Sequence, residues 1–222
     1  MESVTTPQKR SRCWLLWGGL FVTLALILLA ILLAELKLQV PTGKPLPILG
    51  PVADFTLTNQ NGQPVSLNDL RGHVWVADVI FTRCPGPCLK MSREMKELQQ
   101  AIPTGSQARF VTLTTDPEYD TPYILKTYAG RFDANTGHWI FLTGAKREIA
   151  NLTGTSLKLT ALEKPSGERE SPQDLFIHST IFVIVDKHAQ LRGVFETMGE
   201  GIDPAQVKLE IAAAIRRLER ET

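Results

Sequence analysis

Cys84 and Cys88 frame the run Cys84-Pro85-Gly86-Pro87-Cys88, which directly follows an apolar stretch, Val74 to Phe81. They are two of only three cysteines in the chain. Thiolate sulfur is both a soft metal ligand and a redox nucleophile. Two thiols at this spacing can converge on one point, and three chemistries are open to them. A structural disulfide would close a very short loop and constrain the unfolded chain little. Redox exchange would use the pair to pass electrons. Metal binding suits Cu(I), which accepts two or three soft ligands, whereas zinc normally takes four.

A metal reading calls for a third ligand. His73 and His188 fall in turns and His138 precedes Trp139, so all three read as surface residues. His178 differs, because it stands near the start of a strongly apolar stretch, Phe176 to Val185, just after a polar loop. It reads either as a ligand or as a partly buried, hydrogen-bonded histidine. Asp78 interrupts the apolar stretch before the cysteines. It is either a proton acceptor in thiol exchange or a structural acceptor for a buried donor. Asp116 and Asp120 read more simply, as a strand end and a helix cap. Met91 and Met95 fall on one helical stripe and read as core.

These residues need elements to carry them. Phe55 to Thr58 and Val65 to Leu67 flank Asn61-Gly62, the pattern of a β-hairpin. Val74 to Phe81 reads as a strand covered on both faces. Residues 88–102 read as a helix, with Met91, Met95, Leu98 and Ile102 at helical spacing. Cys88 then opens that helix, where unpaired backbone N–H groups and the macrodipole favour a thiolate, and Arg83 adds positive charge. Phe110 to Thr114 is a second buried strand, and Asp120-Thr121-Pro122 starts a second helix. Trp139 to Leu142 is a strand, residues 145–153 a short helix, and residues 163–174 a polar loop. Phe176 to Val185 and Leu191 to Phe195 form a hairpin of strands. An amphipathic helix from Asp203-Pro204 closes the chain. Alternating strands and helices imply parallel pairing at the centre of the sheet and antiparallel edges. The expected fold is α/β: thioredoxin-like and three-layered, with a central mixed sheet and an N-terminal β-hairpin.

The 222-residue chain carries a formal charge of +1, which argues against nucleic acid as its main partner. Residues 1–13 are polar and basic, with Lys9, Arg10 and Arg12, and Cys13 closes them as a small apolar residue. Trp14 to Ala34 then runs 21 residues without a charge. That is the length a helix needs to cross a bilayer, and Trp14 and Trp17 suit its interfacial edge. A cleaved signal peptide would have a shorter apolar core and a small-x-small exit, which Leu32-Leu33-Ala34 lacks. Residues 14–34 are therefore expected to be one transmembrane helix with the N-terminus cytoplasmic. Residues 35–50, rich in Pro and Gly, form an extended linker, and 51–222 form one domain. The short N-terminus is not an Arg-rich transit sequence, which points to a bacterial inner membrane with the domain on the periplasmic side rather than to a mitochondrial one.

Several motifs in one order then resemble the Sco/SenC family of membrane-anchored copper-binding proteins. They are Asp54-Phe55-Thr56-Leu57 with Gly62; Phe81 to Cys88; Asp116-Pro117-Glu118 with Asp120-Thr121-Pro122; Trp139 to Gly144; and His178-Ser179-Thr180 followed by an apolar strand and Asp186. The resemblance covers roughly residues 50–198. It implies a thioredoxin-like fold and a copper ion held by Cys84, Cys88 and His178. It implies a metallochaperone for the copper centre of cytochrome c oxidase, with the oxidase's copper-acceptor subunit or another copper chaperone as partner. The alternative is an extracytoplasmic thiol-disulfide oxidoreductase that uses Cys84 and Cys88 as its catalytic pair. Against that alternative, thioredoxin-type motifs usually have two residues between the cysteines, and this one has three. Many family members carry Asp directly before the histidine; here that position is Ile177, with Asp174 further upstream.

Overall fold

The structure is a computed structural model that describes residues 17, 20–31, 45–159, 161–163, 167, 176–178 and 180–221. The chain divides into two compact units, Met1–Pro45 and Leu46–Thr222. In the first, α1 (residues 20–31) is helical and its large apolar side chains are exposed. Among the described residues no helix is long and apolar enough to cross a membrane. The rest of the span expected over 14–34 lies outside the described residues.

The second unit is built on an eight-stranded sheet. Its strands are β1 (Gly50–Pro51), β2 (Thr56–Asn59), β3 (Pro64–Ser66), β4 (Trp75–Ile80), β5 (Arg109–Thr114), β6 (Trp139–Thr143), β9 (Ile181–Val185) and β10 (Gln190–Glu196). The order across the sheet is β1-β10-β9-β4-β5-β6-β2-β3. The pairs β4–β5 and β5–β6 are parallel, and the flanking pairs are antiparallel. This is the mixed, thioredoxin-like α/β sheet expected from the strand and helix alternation. Gly62, with φ of 76°, supplies the left-handed residue of the β2–β3 hairpin.

Every residue of β4 is buried, as a strand covered on both faces requires. Val76 and Ile80 face one core, together with α3 (Pro87–Ala101), α4 (Pro122–Arg131) and α6 (Pro204–Arg220). Trp75, Ala77 and Val79 face the other. That second core is closed by α2 (Leu67–Leu70), α5 (Lys146–Ala150) and the π-helical turn Asn151–Ser156 that follows α5. Met91 and Met95 are fully buried in the first core, as their spacing predicts.

Two elements depart from the sequence reading. The stretch 176–185 is not one strand. β8 (Phe176–His178) pairs instead with β7 (Ala161–Glu163) in a separate two-stranded sheet, and β9 begins only at Ile181. The polar run His178-Ser179-Thr180 falls where the pairing changes, and the apolar residues on either side of it masked the break. The helix expected over 145–153 is a short α-helix that widens into the π-turn. Of the polar loop at 163–174, only Glu163 and Gly167 are among the described residues.

Candidate functional site

The loop after β4 leaves the carboxyl end of a central parallel strand, where open α/β sheets gather reactive groups. It turns at once, with Cys84 N–H donating to the Phe81 carbonyl at 3.1 Å. Gly86 occupies the N-cap of α3 and Pro87 opens the helix. Proline fits there because its fixed φ is helical and its missing N–H would have had no partner anyway. Cys88 follows inside the first turn. Neither cysteine is in a disulfide; they are 5% and 1% exposed respectively, under an exposed arch of Pro85, Gly86 and Pro87.

The two sulfurs meet. The Cys88 thiol donates to Cys84, and this bond, reinforced by burial and by the charges of Cys84 and Asp78, pushes the Cys88 thiol well above the ordinary range. The helix N-terminus was expected to lower it. Burial and the partner sulfur outweigh the dipole, which is worth only about 0.3–2 kcal/mol. Arg83 does not supply the missing positive charge. Its guanidinium pairs with Asp116 at 2.5 Å and stacks 4.2 Å from the Tyr119 ring.

Asp78 lies beneath the pair. Alternation along β4 turns it to the same face as Val76 and Ile80, and it is fully buried. One carboxylate oxygen accepts from Thr112 Oγ1 at 2.7 Å, and Thr112 Oγ1 in turn accepts from Trp139 Nε1 at 2.9 Å. The other oxygen has no hydrogen-bond partner. Burial raises the Asp78 carboxyl to about 7. Tyr128, also buried, bonds Ser92 at 2.9 Å and donates to the Cys88 carbonyl at 3.4 Å, and its hydroxyl is pushed up by burial and by the nearby acids. The dithiol thus sits over a dry polar layer made by Asp78, Thr112, Trp139, Tyr128 and Ser92.

The Asp78 shift has a consequence for stability. Between about pH 4 and 7 the folded chain keeps this proton and the unfolded chain releases it, so the folded state binds more protons. Stability from this group therefore falls as pH rises through that window. Each unit is about 1.4 kcal/mol, so the loss is on the order of a few kcal/mol. Urea unfolding of Asp78→Asn across the same window should lack that decline and should show a gain over the parent at pH 8. Parallel pH profiles for the two proteins would refute the assignment.

The loop is held from its other side by Asp120. That residue was expected to cap a helix, but Thr121 is the N-cap of α4, its Oγ1 accepting from Ile124 N–H at 3.4 Å. The buried Asp120 carboxylate instead accepts from Thr82 N–H at 3.1 Å, from Thr82 Oγ1 and from Thr114 Oγ1. Asp116 is likewise more than a strand end, through its pair with Arg83. Both carboxylates were read as local devices because the residues of the cysteine loop that they hold, Thr82 and Arg83, lie more than thirty residues away along the chain.

His178 is the terminal residue of β8, paired across to Ala161; its side chain lies outside the described residues. Three residues later β9 starts. β9 runs antiparallel beside β4, with Ala77 opposite Val183, so its Ile181 end is the sheet end that carries the cysteines. Among the described residues no group of three His, Cys, Asp or Glu side chains is placed to hold a metal ion. What is in place is a pair of soft donors, outside any disulfide, touching and shielded from water, which suits a monovalent copper ion and leaves room in its coordination for one further ligand.

The chain matches the SCO1/SenC family model over residues 50–216. It is 37% identical over 141 residues to the SCO1 protein homolog of Bacillus subtilis, covering 63% of this chain and 70% of that one. It is 33% identical over 144 residues to a Stutzerimonas stutzeri protein named "Putative copper-binding protein", covering 64% and 67%. Among solved structures it resembles BsSco, described as a member of the Sco family of cytochrome c oxidase assembly proteins with a disulfide switch. That match has a TM-score of 0.67 and 30% identity and covers 81% of this chain and all of the other.

Proposed function

The chain belongs to the SCO1/SenC family, and from that premise we propose that it is a copper metallochaperone for the assembly of cytochrome c oxidase. Copper is its cargo, taken up by the thiolates of Cys84 and Cys88 and the imidazole of His178, then passed by ligand exchange to an acceptor subunit or another copper chaperone. The residues at 14–34 would anchor it to a bacterial inner membrane, with the domain on the periplasmic side. The observation that carries the reading is the reduced, hydrogen-bonded pair Cys84–Cys88 at the end of β4. The copper-binding name of the Stutzerimonas relative and the oxidase-assembly role of BsSco support it.

The chain's own groups define how the cargo is gained. Both sulfurs must be thiolates to ligate, and the Cys88 proton is held by Cys84 and by burial. Copper uptake therefore displaces that proton, so affinity should rise with pH. Pro85 and Pro87 restrict the loop, so little entropy is lost when both sulfurs take one ion.

The reduced full-length chain, titrated with Cu(I) against a chromophoric chelator, should take up one copper per chain. X-ray absorption should report two sulfur donors and one nitrogen donor. A chain that retains no copper, or binds it without sulfur, is not a chaperone of this design.

A further inference from the structure

Beside the cysteine loop lies a pocket of about 220 Å³, walled by Thr82, Arg83, Tyr119, Thr127, Tyr128 and Arg131. It is smaller than the roughly 300–1,000 Å³ typical of small-molecule sites, so it fits one or two side chains. Its walls include two arginines and no acidic residue. The Arg83 charge is already matched by Asp116. Arg131 is exposed, at the last turn of α4, and its guanidinium stands 6.0 Å from the Tyr128 ring. Among the described residues no carboxylate pairs with it. A cation at a helix C-terminus also complements the helix dipole, but that role is met by any outward direction and does not explain a guanidinium over the pocket floor. Tyrosine and arginine are the residues that anchor protein interfaces, and Tyr119 is half-exposed at the rim.

Two features tie the pocket to the chemistry. Thr82 and Arg83 belong to the segment that ends in Cys84, and Tyr128 bonds the Cys88 carbonyl. A partner whose sulfur is engaged at Cys84 therefore has its neighbouring side chains over this pocket. We propose that the pocket around Arg131 is the docking subsite for an acidic side chain flanking the acceptor's cysteine, received by the Arg131 guanidinium, with which no carboxylate among the described residues pairs. This inference rests on the reading that Cys84 exchanges ligands with a thiol-bearing acceptor protein.

The test uses the reduced full-length chain and three short peptides. Each has a single cysteine capped as a 2-nitro-5-thiobenzoate disulfide and flanked on both sides by Glu, Gln or Lys. The Cys84 sulfur bonds to the peptide sulfur and loses its proton to solvent. The old S–S bond breaks, and the coloured thiobenzoate leaves as thiolate with that bond's electron pair. Rates are divided by those of N-acetylcysteine with the same peptide, which removes the peptides' intrinsic reactivity. The normalised Glu peptide should react about five-fold faster than Gln, the size of one partly shielded ion pair, and the preference should shrink at high salt. Arg131→Lys should keep most of it, and Arg131→Glu should reverse it in favour of the Lys peptide. A Glu-to-Gln ratio near one in the parent, or one unmoved by Arg131→Glu, overturns the proposal. So does an equal change from Arg147→Glu, on the far face of the sheet, which would make the preference a field of the whole molecule. Because the readout is a ratio of peptide rates, it is independent of copper. A chain that binds copper but shows no preference loses only the docking subsite, and one that shows the preference but binds no copper loses only the chaperone reading.

Discussion

Replacing Cys88 by serine is expected to abolish copper retention by the reduced chain, lowering Cu(I) affinity by more than about 100-fold. Groups that merely orient a ligand cost 10–100-fold when removed, and this change takes one of two direct soft donors. The serine oxygen is a hard donor and a poor match for Cu(I). It also removes the S–H bond to Cys84 that holds the two sulfurs together. Cys84→Ser should be equally severe. His178→Ala leaves both sulfurs in place and should cost less, yet still at least about ten-fold, because a two-coordinate site is left open to competing ligands. Competition against a chromophoric chelator reads all three. Unfolding midpoints close to the parent's would show that the loss belongs to the ligands. A Cys88→Ser chain that still holds one copper at the parent's affinity would remove the dithiol from the site.

Arg192→Ala is expected to destabilise the domain by about 3–5 kcal/mol, the usual result of removing one partner from a buried ion pair. The side chains of Arg192 and Asp186 are only 8% and 6% exposed, and they meet at 2.7 Å. The same guanidinium reaches Glu221 at 2.8 Å and donates to the carbonyls of Leu46 and Pro47. Asp186 also accepts from His188 and Gln190 N–H, fixing the turn between β9 and β10. One side chain therefore ties together both ends of the unit and its edge hairpin, and its loss strands a buried carboxylate. Urea unfolding should show a lower midpoint with an unchanged slope. Asp186→Asn, which keeps the turn's acceptor and removes the charge, should cost less. A shift below 1 kcal/mol for Arg192→Ala would mean that water replaces the guanidinium freely.

The parts of the site that follow from local pattern were legible in the sequence. A mostly apolar run, interrupted at Asp78 and ending in a dithiol, pointed to β4 and the start of α3, and helical spacing placed Met91 and Met95 on a buried face. What was not legible depends on residues distant in sequence. Nothing near Asp120 signals that it will accept from Thr82 rather than cap a helix, since an Asp before Thr-Pro is a common start signal. Nothing near Arg83 shows that Asp116 will take its charge. The expected lowering of the thiol pKa failed for the same reason. The helix start was visible, but the degree of burial and the partner sulfur were not. The layer of Thr112, Trp139 and Ser92 around Asp78 and Tyr128 was missed altogether, because these residues sit at ordinary core positions and become a network only when β4, β5, β6, α3 and α4 are packed together.

The knot at Arg192 also fixes a direction. Leu46 and Pro47, where the chain enters the unit, are held at the β10 end that faces Val185 and Trp75, the start of β4. The cysteines stand past Ile80, at its finish. Six residues of strand put about 20 Å between those ends. The chain therefore enters the unit at the end of the sheet opposite its reactive sulfurs. Under the anchoring proposed for residues 14–34, lengthening the segment before Leu46 would widen the volume those sulfurs can sweep, and shortening it would narrow that volume, without altering the ligand geometry itself.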